Sequence, residues 1–138
     1  MRHVVFRVAG ERFALPLGAV REVVVPQPPF ARVPRSSEAV RGVMNLRGRV
    51  VAVVDLAALV GLAAQPLAAG GGHVLILELG KRALGFLIGG VLGVEPLEPR
   101  EEGPAGMVRG VAPGRAGAVT VLAPEALALE AERLFGGR

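Results

Sequence analysis

The chain has 138 residues, a formal net charge of +4 and no cysteine. That length makes one ordinary domain or two very small ones, and the missing thiols exclude disulfides, a thiol nucleophile and a cysteine-ligated metal. Apolar residues make up 51% of the chain, and 20 glycines with 11 prolines break them into short runs, the pattern of a β-barrel or sandwich rather than a helical bundle.

Val4, Phe6 and Val8 alternate with His3, Val5 and Arg7, which predicts a strand. Gly10 turns the chain, and Phe13, Leu15 and Leu17 continue on the return strand of a hairpin. A further strand runs from Val20 to Val25 and stops at Pro26, and the prolines between Pro26 and Ser37 predict an extended loop with little pairing. Val43 to Leu46 and Val50 to Val54 flank Arg47-Gly48-Arg49 as a second hairpin, whose glycine permits a positive φ. Asp55, the one aspartate of the chain, stands where a short helix from Leu56 to Val60 begins. Its carboxylate can accept the orphan N–H groups of the first turn, and Gly61 can end the helix. Residues 62–72 read as a linker. Strands recur at His73 to Leu79, Arg82 to Ile88, Val91 to Leu97, Val108 to Ala112 and Ala118 to Leu122, with a loop from Glu101 to Gly106. Pro124 opens a terminal helix with Leu127, Ala131 and Leu134 on one face.

The second series of elements copies the first. Val40-Arg41-Gly42-Val43 returns as Val108-Arg109-Gly110-Val111, an offset of 68 that also carries Val51 onto Val119 and Leu59 onto Leu127. Gly10-Glu11-Arg12 returns as Gly80-Lys81-Arg82 at an offset of 70, and Pro26 falls on Pro96. The chain therefore reads as a single domain, 1–138, made of approximate repeat halves 4–61 and 73–134 joined by 62–72. A unit of roughly 60 residues buries only about 60% of its unfolded surface and is marginal alone, so the halves must pack together and share a core. Two copies of a β unit make a scaffold with two similar faces, and by themselves no active site.

Side chains for catalysis are scarce. His3 and His73 begin two different strands and read as satisfied strand residues. Ser36-Ser37 has no histidine nearby in sequence to activate it. The carboxylates at Glu101-Glu102, Glu95 and Glu98 lie in Pro- and Gly-rich stretches, where solvated charges are the ordinary reading. Gly70-Gly71-Gly72 lacks the following Lys-Ser/Thr of a phosphate loop, and no His/Asp/Glu cluster has metal-ligand spacing. The expectation is a protein that is not an enzyme and carries no cofactor and no metal. The N-terminal run meets Arg7 too soon for a signal peptide, and the apolar stretch Ala83 to Val94 is too short to span a bilayer. A cytoplasmic protein without membrane insertion is expected.

Fifteen arginines against one lysine, Lys81, make the chain basic, and a basic small β-barrel that binds RNA is the rival reading. Single-strand binding surfaces usually combine cations with stacking rings. Trp and Tyr are absent here, and Phe6, Phe13, Phe30, Phe86 and Phe135 are assigned to core or loop anchoring. Arginine also alternates with glutamate at Glu11-Arg12, Arg21-Glu22 and Arg100-Glu101, which makes a mixed-charge face. No nucleic acid is expected as a partner. Two barrels side by side leave a groove suited to another protein. On composition alone Arg47 is one surface arginine among fifteen, Glu22 a solvated strand residue beside Arg21, and Asn45 a residue serving the backbone near a turn.

The run Gly42-Val43-Met44-Asn45-Leu46-Arg47-Gly48-Arg49, leading through Val50 to Val54 into Asp55-Leu56, resembles the signature of the CheW family. In that family Gly-Val-x-Asn-Leu-Arg-Gly leads through an apolar strand to Asp-Leu. Phe13-Ala14-Leu15-Pro16-Leu17 followed by Val20-Arg21-Glu22-Val23 resembles the family's earlier motif, and Pro34 before Val40-Arg41-Gly42 fits it as well. The resemblance covers the chain from about Val4 to Leu134. It implies an all-β, CheW-like fold: two five-stranded Src-homology-3-like β-barrels packed together, a short helix after the first barrel and a C-terminal helix. It also implies a non-catalytic adaptor that couples the cytoplasmic tip of methyl-accepting chemoreceptors to the regulatory domain of a CheA-type histidine kinase. By the same resemblance Arg47 and Glu22 belong to the receptor-binding surface near the groove, with Val20 and Val43 as apolar neighbours, while Gly42, Asn45, Gly48 and Asp55 are motif residues of structural value. One departure stands out: family members usually carry acidic residues at the positions of Gly89 and Gly93. Whatever pairing those carboxylates give elsewhere is absent here, which bears on kinase coupling through that barrel.

Overall fold

The computed structural model describes residues 1–26, 39–62, 72–100 and 106–134. The expected loop after Pro26, most of the 62–72 linker and of the Glu101 to Gly106 loop, and Phe30, Pro34, Ser36, Ser37 and Phe135 lie outside the described residues. Among the described residues there are ten strands: β1 (Arg2–Val8), β2 (Glu11–Pro16), β3 (Val20–Val24), β4 (Val40–Leu46), β5 (Arg49–Asp55), β6 (His73–Leu79), β7 (Arg82–Ile88), β8 (Val91–Pro96), β9 (Val108–Gly114) and β10 (Gly117–Leu122). Helix α1 (Leu56–Leu59) follows β5, and α2 (Pro124–Glu132) follows β10. One expectation needs correcting. Leu17 does not extend the hairpin strand but opens a 3-10 turn, Leu17–Ala19, after Pro16, and this turn leads the chain out of one sheet into the other.

The strands form two five-stranded sheets, ordered β8-β1-β2-β10-β9 and β3-β6-β7-β5-β4. Each takes strands from both halves of the repeat. Exchanging every strand for its repeat counterpart, β1 for β6, β2 for β7, β3 for β8 and so on, converts one order into the other. A barrel is therefore a hairpin of one copy completed by three strands of the other. The joints are the antiparallel pairs β1–β8 and β3–β6 and the parallel pairs β2–β10 and β5–β7.

Strand alternation sorts the apolar side chains into three cores. Val5, Ala14, Leu97, Ala112, Val119 and Val121 fill the first barrel. Val51, Val53, Val74, Ile76 and Leu87 fill the second. The largest cluster joins Val4, Phe6, Val8, Phe13 and Leu15 to Val54, Leu75, Leu77, Phe86 and Ile88, and so packs one barrel on the other. The face of β1 that sequence alternation leaves half polar is buried too, with Arg7 exposed, because β1 is an interior strand with a core on each side. Both helices plug this shared layer, α1 through Leu56 and Ala57, α2 through Leu127, Ala128 and Ala131, with Leu134 packed against it.

Asp55 anchors α1: its Oδ1 accepts the Ala57 N–H at 3.1 Å, its side chain is buried, and Arg41 Nη1 stands 3.8 Å from Oδ2. Gly61, at φ +81°, carries the chain out of the helix. Gly89 sits where the chain passes from β7 in one sheet to β8 in the other. Its N–H donates to the Arg7 carbonyl at 2.6 Å, and the Arg7 N–H donates to the Gly90 carbonyl at 2.8 Å. A Cβ on residue 89 would lie 2.7 Å from that carbonyl oxygen, so the backbone approach leaves no room for a carboxylate side chain. At Gly93 the cause is conformational, a φ of +150° beside the register slip at Val5 and Phe6.

Candidate functional site

Arg47 owes its placement to the turn between β4 and β5. Leu46 pairs with Arg49, and the two residues between them, Arg47 and Gly48, have φ of +50° and +87°. Positive φ at both central positions is the type I′ geometry that matches the twist of a hairpin. Asn45 Oδ1 accepts the Gly48 N–H at 2.7 Å and closes the turn from below. The turn holds the Arg47 side chain out into solvent.

Glu22 lies on β3, at the far end of the same sheet order, yet Arg47 Nη2 donates to its Oε2. The ion pair thus joins the two ends of a curled sheet. Glu22 follows a register slip between Val20 and Glu22 against β6, which interrupts alternation at this point. Hydrogen bonding to Arg47, and then the charges of Arg47 and Arg21, hold the Glu22 carboxyl below the usual carboxylate range against the opposing effect of desolvation. The same hydrogen bond pushes Arg47 up from its ordinary value. Ionised forms therefore prevail on both sides at neutral pH.

The other residues singled out in the sequence fall around or away from this pair. Val20 is half-buried and packs on the shared core. Val43 is half-buried on β4 opposite Ala52, on the same side of the strand as Asn45, which faces Val50. Gly42 is buried at φ +135° opposite Val53, beside a register slip beyond which Val40 pairs with Val54. Asp55 belongs to the helix cap described above and not to the pair. His73 Nδ1 donates to the Gly89 carbonyl and His3 Nδ1 to the Met1 carbonyl, both at 3.0 Å. Among the described residues no group of three His, Asp or Glu side chains comes together as metal ligands would.

Sequence reasoning missed several features, some beside the pair and some on the other sheet. Val50 is 75% exposed although it sits in an apolar strand, so an apolar residue stands open opposite Asn45, beside the Arg47 turn. Val91, Leu92 and Val94 are exposed on the edge strand β8. Glu78 of β6 accepts from Arg21 Nη1 at 2.9 Å and from Arg49 Nη1 at 3.3 Å. The adjacency of Arg21 and Glu22 is a visible signal, whereas Glu78 lies 57 residues from Arg21 and nothing local pairs them. Chemically, this arrangement offers a fixed, exposed guanidinium beside apolar surface, which is equipment for binding.

The family model described as CheW-like domain matches residues 2–135. The chain belongs to the CheW-like domain family. It is 33% identical over 100 residues to the chemotaxis protein CheW of Rhizobium meliloti (strain 1021), covering 71% of this chain and 62% of that relative. It is 32% identical over 90 residues to Protein PilI of Pseudomonas aeruginosa, covering 65% of this chain and 49% of PilI. The CheW-like chain thus spans about half to three-fifths of the length of these relatives. The crystal structure of the scaffolding protein TtCheW from Thermoanaerobacter tengcongensis superposes with a TM-score of 0.76 over 88% of both chains at 24% identity, which establishes the paired-barrel fold. Among the described residues no helix is long and apolar enough to cross a membrane.

Proposed function

We propose that this CheW-like chain is a non-catalytic adaptor that acts in the cytoplasm, coupling the cytoplasmic tip of a methyl-accepting chemoreceptor to the regulatory domain of a CheA-type histidine kinase. The observation that carries the reading is the Arg47–Glu22 pair, an exposed guanidinium on a tight turn beside the exposed Val50, with Val43 on the Asn45 side of β4 and Val20 two residues before Glu22. A receptor helix can lay its apolar side on such a surface while a carboxylate at its rim meets Arg47. A rim charge of this kind sets orientation and partner choice more than raw affinity. Kinase coupling rests on family membership, since a regulatory domain of the same fold associates barrel to barrel.

Capture of binding partners from the host's own lysate, read by mass spectrometry, tests this directly. Wild-type chain should bring down a histidine kinase and methyl-accepting receptors, and Arg47→Glu should lose the receptors while keeping the kinase. Recovery of ribosomal material that disappears as salt is raised would instead support the RNA-binding reading and overturn the adaptor.

A further inference from the structure

The Arg47–Glu22 pair is one end of a longer array. Arg21 Nε stands 3.9 Å from the same Glu22 oxygen that Arg47 holds. Arg21 Nη1 also binds one oxygen of Glu78, and Arg49 Nη1 binds the other. Among the described residues, then, three guanidiniums and two carboxylates run in the order Arg47, Glu22, Arg21, Glu78, Arg49. They come from β3, β6 and the β4–β5 hairpin. The carboxylates lie low, with side chains 24% and 27% exposed, and the guanidiniums stand above them at 66%, 50% and 51%.

We infer that this array is one platform, and that Arg21 and Arg49, held in place by Glu78, make the chain select a helical partner segment with two carboxylates on one face. The inference rests on the adaptor reading for the identity of the partner and extends it to the partner's chemistry. Three positive and two negative charges leave an excess of one, and each guanidinium spends only part of its fork of five N–H donors on the glutamates below. Arg47 and Arg21 meet the same oxygen of Glu22, and Arg21 and Arg49 the two oxygens of Glu78. Neighbouring guanidiniums therefore stand close enough to serve two carboxylates carried one helical turn apart, where Cβ atoms lie roughly 5–6 Å from each other. The glutamates orient the guanidiniums and offset their mutual repulsion, so a second partner carboxylate meets a donor already in position. A partner with one acidic residue would use Arg47 and leave the rest of the platform unmatched.

Two alanine-rich helical peptides test this against the full-length chain by fluorescence anisotropy at low salt, one with glutamates at i and i+4, the other with the second glutamate replaced by glutamine. Wild-type chain should favour the two-glutamate peptide by about tenfold, the gain from one charge-assisted contact. Arg21→Gln and Arg49→Gln should reduce that preference to about twofold or less. Glu78→Gln is the decisive variant. If the platform depends on geometry, the preference falls, whereas simple charge attraction would make it rise because net positive charge increases. A rise, no preference in wild type, or failure of both peptides to bind would overturn the inference. So would loss, in these same variants, of binding to a single-stranded RNA oligonucleotide. Circular dichroism melts keep a folding defect from being read as a binding defect, and Arg49→Lys retains the charge without the fork. A receptor fragment that responds to Arg47→Glu but not to Arg21, Arg49 or Glu78 variants sinks the platform and spares the adaptor. Peptide selection without any receptor binding by wild type does the reverse.

Discussion

Arg47 is constrained twice, by a backbone conformation uncommon outside glycine and by the carboxylate of Glu22. Neither constraint buries it, which is why its substitution should separate binding from folding. Arg47→Glu places a negative charge beside Glu22 and any partner carboxylate. It should weaken receptor binding on the order of tenfold or more while the melting temperature moves little. A collapse of melting with unchanged binding per folded molecule would make Arg47 a structural residue. The pair also predicts a pH response. Because Glu22 titrates below the usual carboxylate range when folded, its contribution is present above the unfolded pKa and is lost as pH falls through the lower, folded one. Binding should therefore be insensitive to the titration of Glu22 anywhere near neutral pH. The carboxyl carbon shift of Glu22, followed by NMR, should move with a midpoint that rises toward the ordinary range in Arg47→Gln. The importance of Arg47 is legible only through the Asn-Leu-Arg-Gly motif. Glu22 is legible through the earlier motif as a member of the same surface, but its ion pair with Arg47 is not, since 25 residues separate them and the contact exists only because the sheet curls.

At the level of elements, both barrels tie the tip of a hairpin to an edge strand through a glutamate. Glu22 of β3 holds the side chain of Arg47, and Glu95 of β8 accepts the backbone N–H of Arg115 at 2.9 Å. Arg115 is the repeat counterpart of Arg47 at the offset of 68. Strands and hairpins are readable because period-two alternation and turn glycines are local signals. Leu17 defeats that reading because it is apolar and in phase with Phe13 and Leu15, while the Pro16 and Gly18 that flank it favour the turn. Glycines divide by cause. At Gly48 a Cβ would meet nothing within 4 Å but φ is +87°, so Gly48→Ala should cost about 1–2 kcal/mol from left-handed strain alone. At Gly89 the cost is collision with the Arg7 carbonyl, and Gly89→Ala should lose about 1–3 kcal/mol. Chemical denaturation midpoints check both. Only Gly48→Ala should also perturb receptor binding, because it alone reshapes the turn that carries Arg47.

The whole molecule is held by a core that belongs to neither half of the sequence. The offsets of 68 and 70 reveal a duplication whose copies must share a core. Which strand lies beside which is not legible, because β2 with β10 and β5 with β7 are pairings over long stretches of chain and no local pattern specifies them. Interlacing has a thermodynamic consequence. Neither barrel can close without strands of both copies, and Phe6, Leu75, Leu77 and Phe86 are fully buried in the layer between the barrels. Loss of that layer removes the outer face of both sheets at once, so unfolding should be a single two-state transition with calorimetric and van't Hoff enthalpies equal. Phe86→Ala should cost about 3–5 kcal/mol. Although Phe86 sits on β7 of the second sheet, amide exchange should accelerate equally in β1 and β2 of the first. Protection lost in the second sheet alone would mean that the barrels are separate folding units resting on each other. Expressed separately, residues 1–62 and 72–138 should each lack a cooperative melt, since each keeps only two two-stranded hairpins and one strand that has lost its ladder partner. Mixed together they should regain β-sheet circular dichroism and a common transition, because the joints between copies are backbone ladders and packing that need no covalent link.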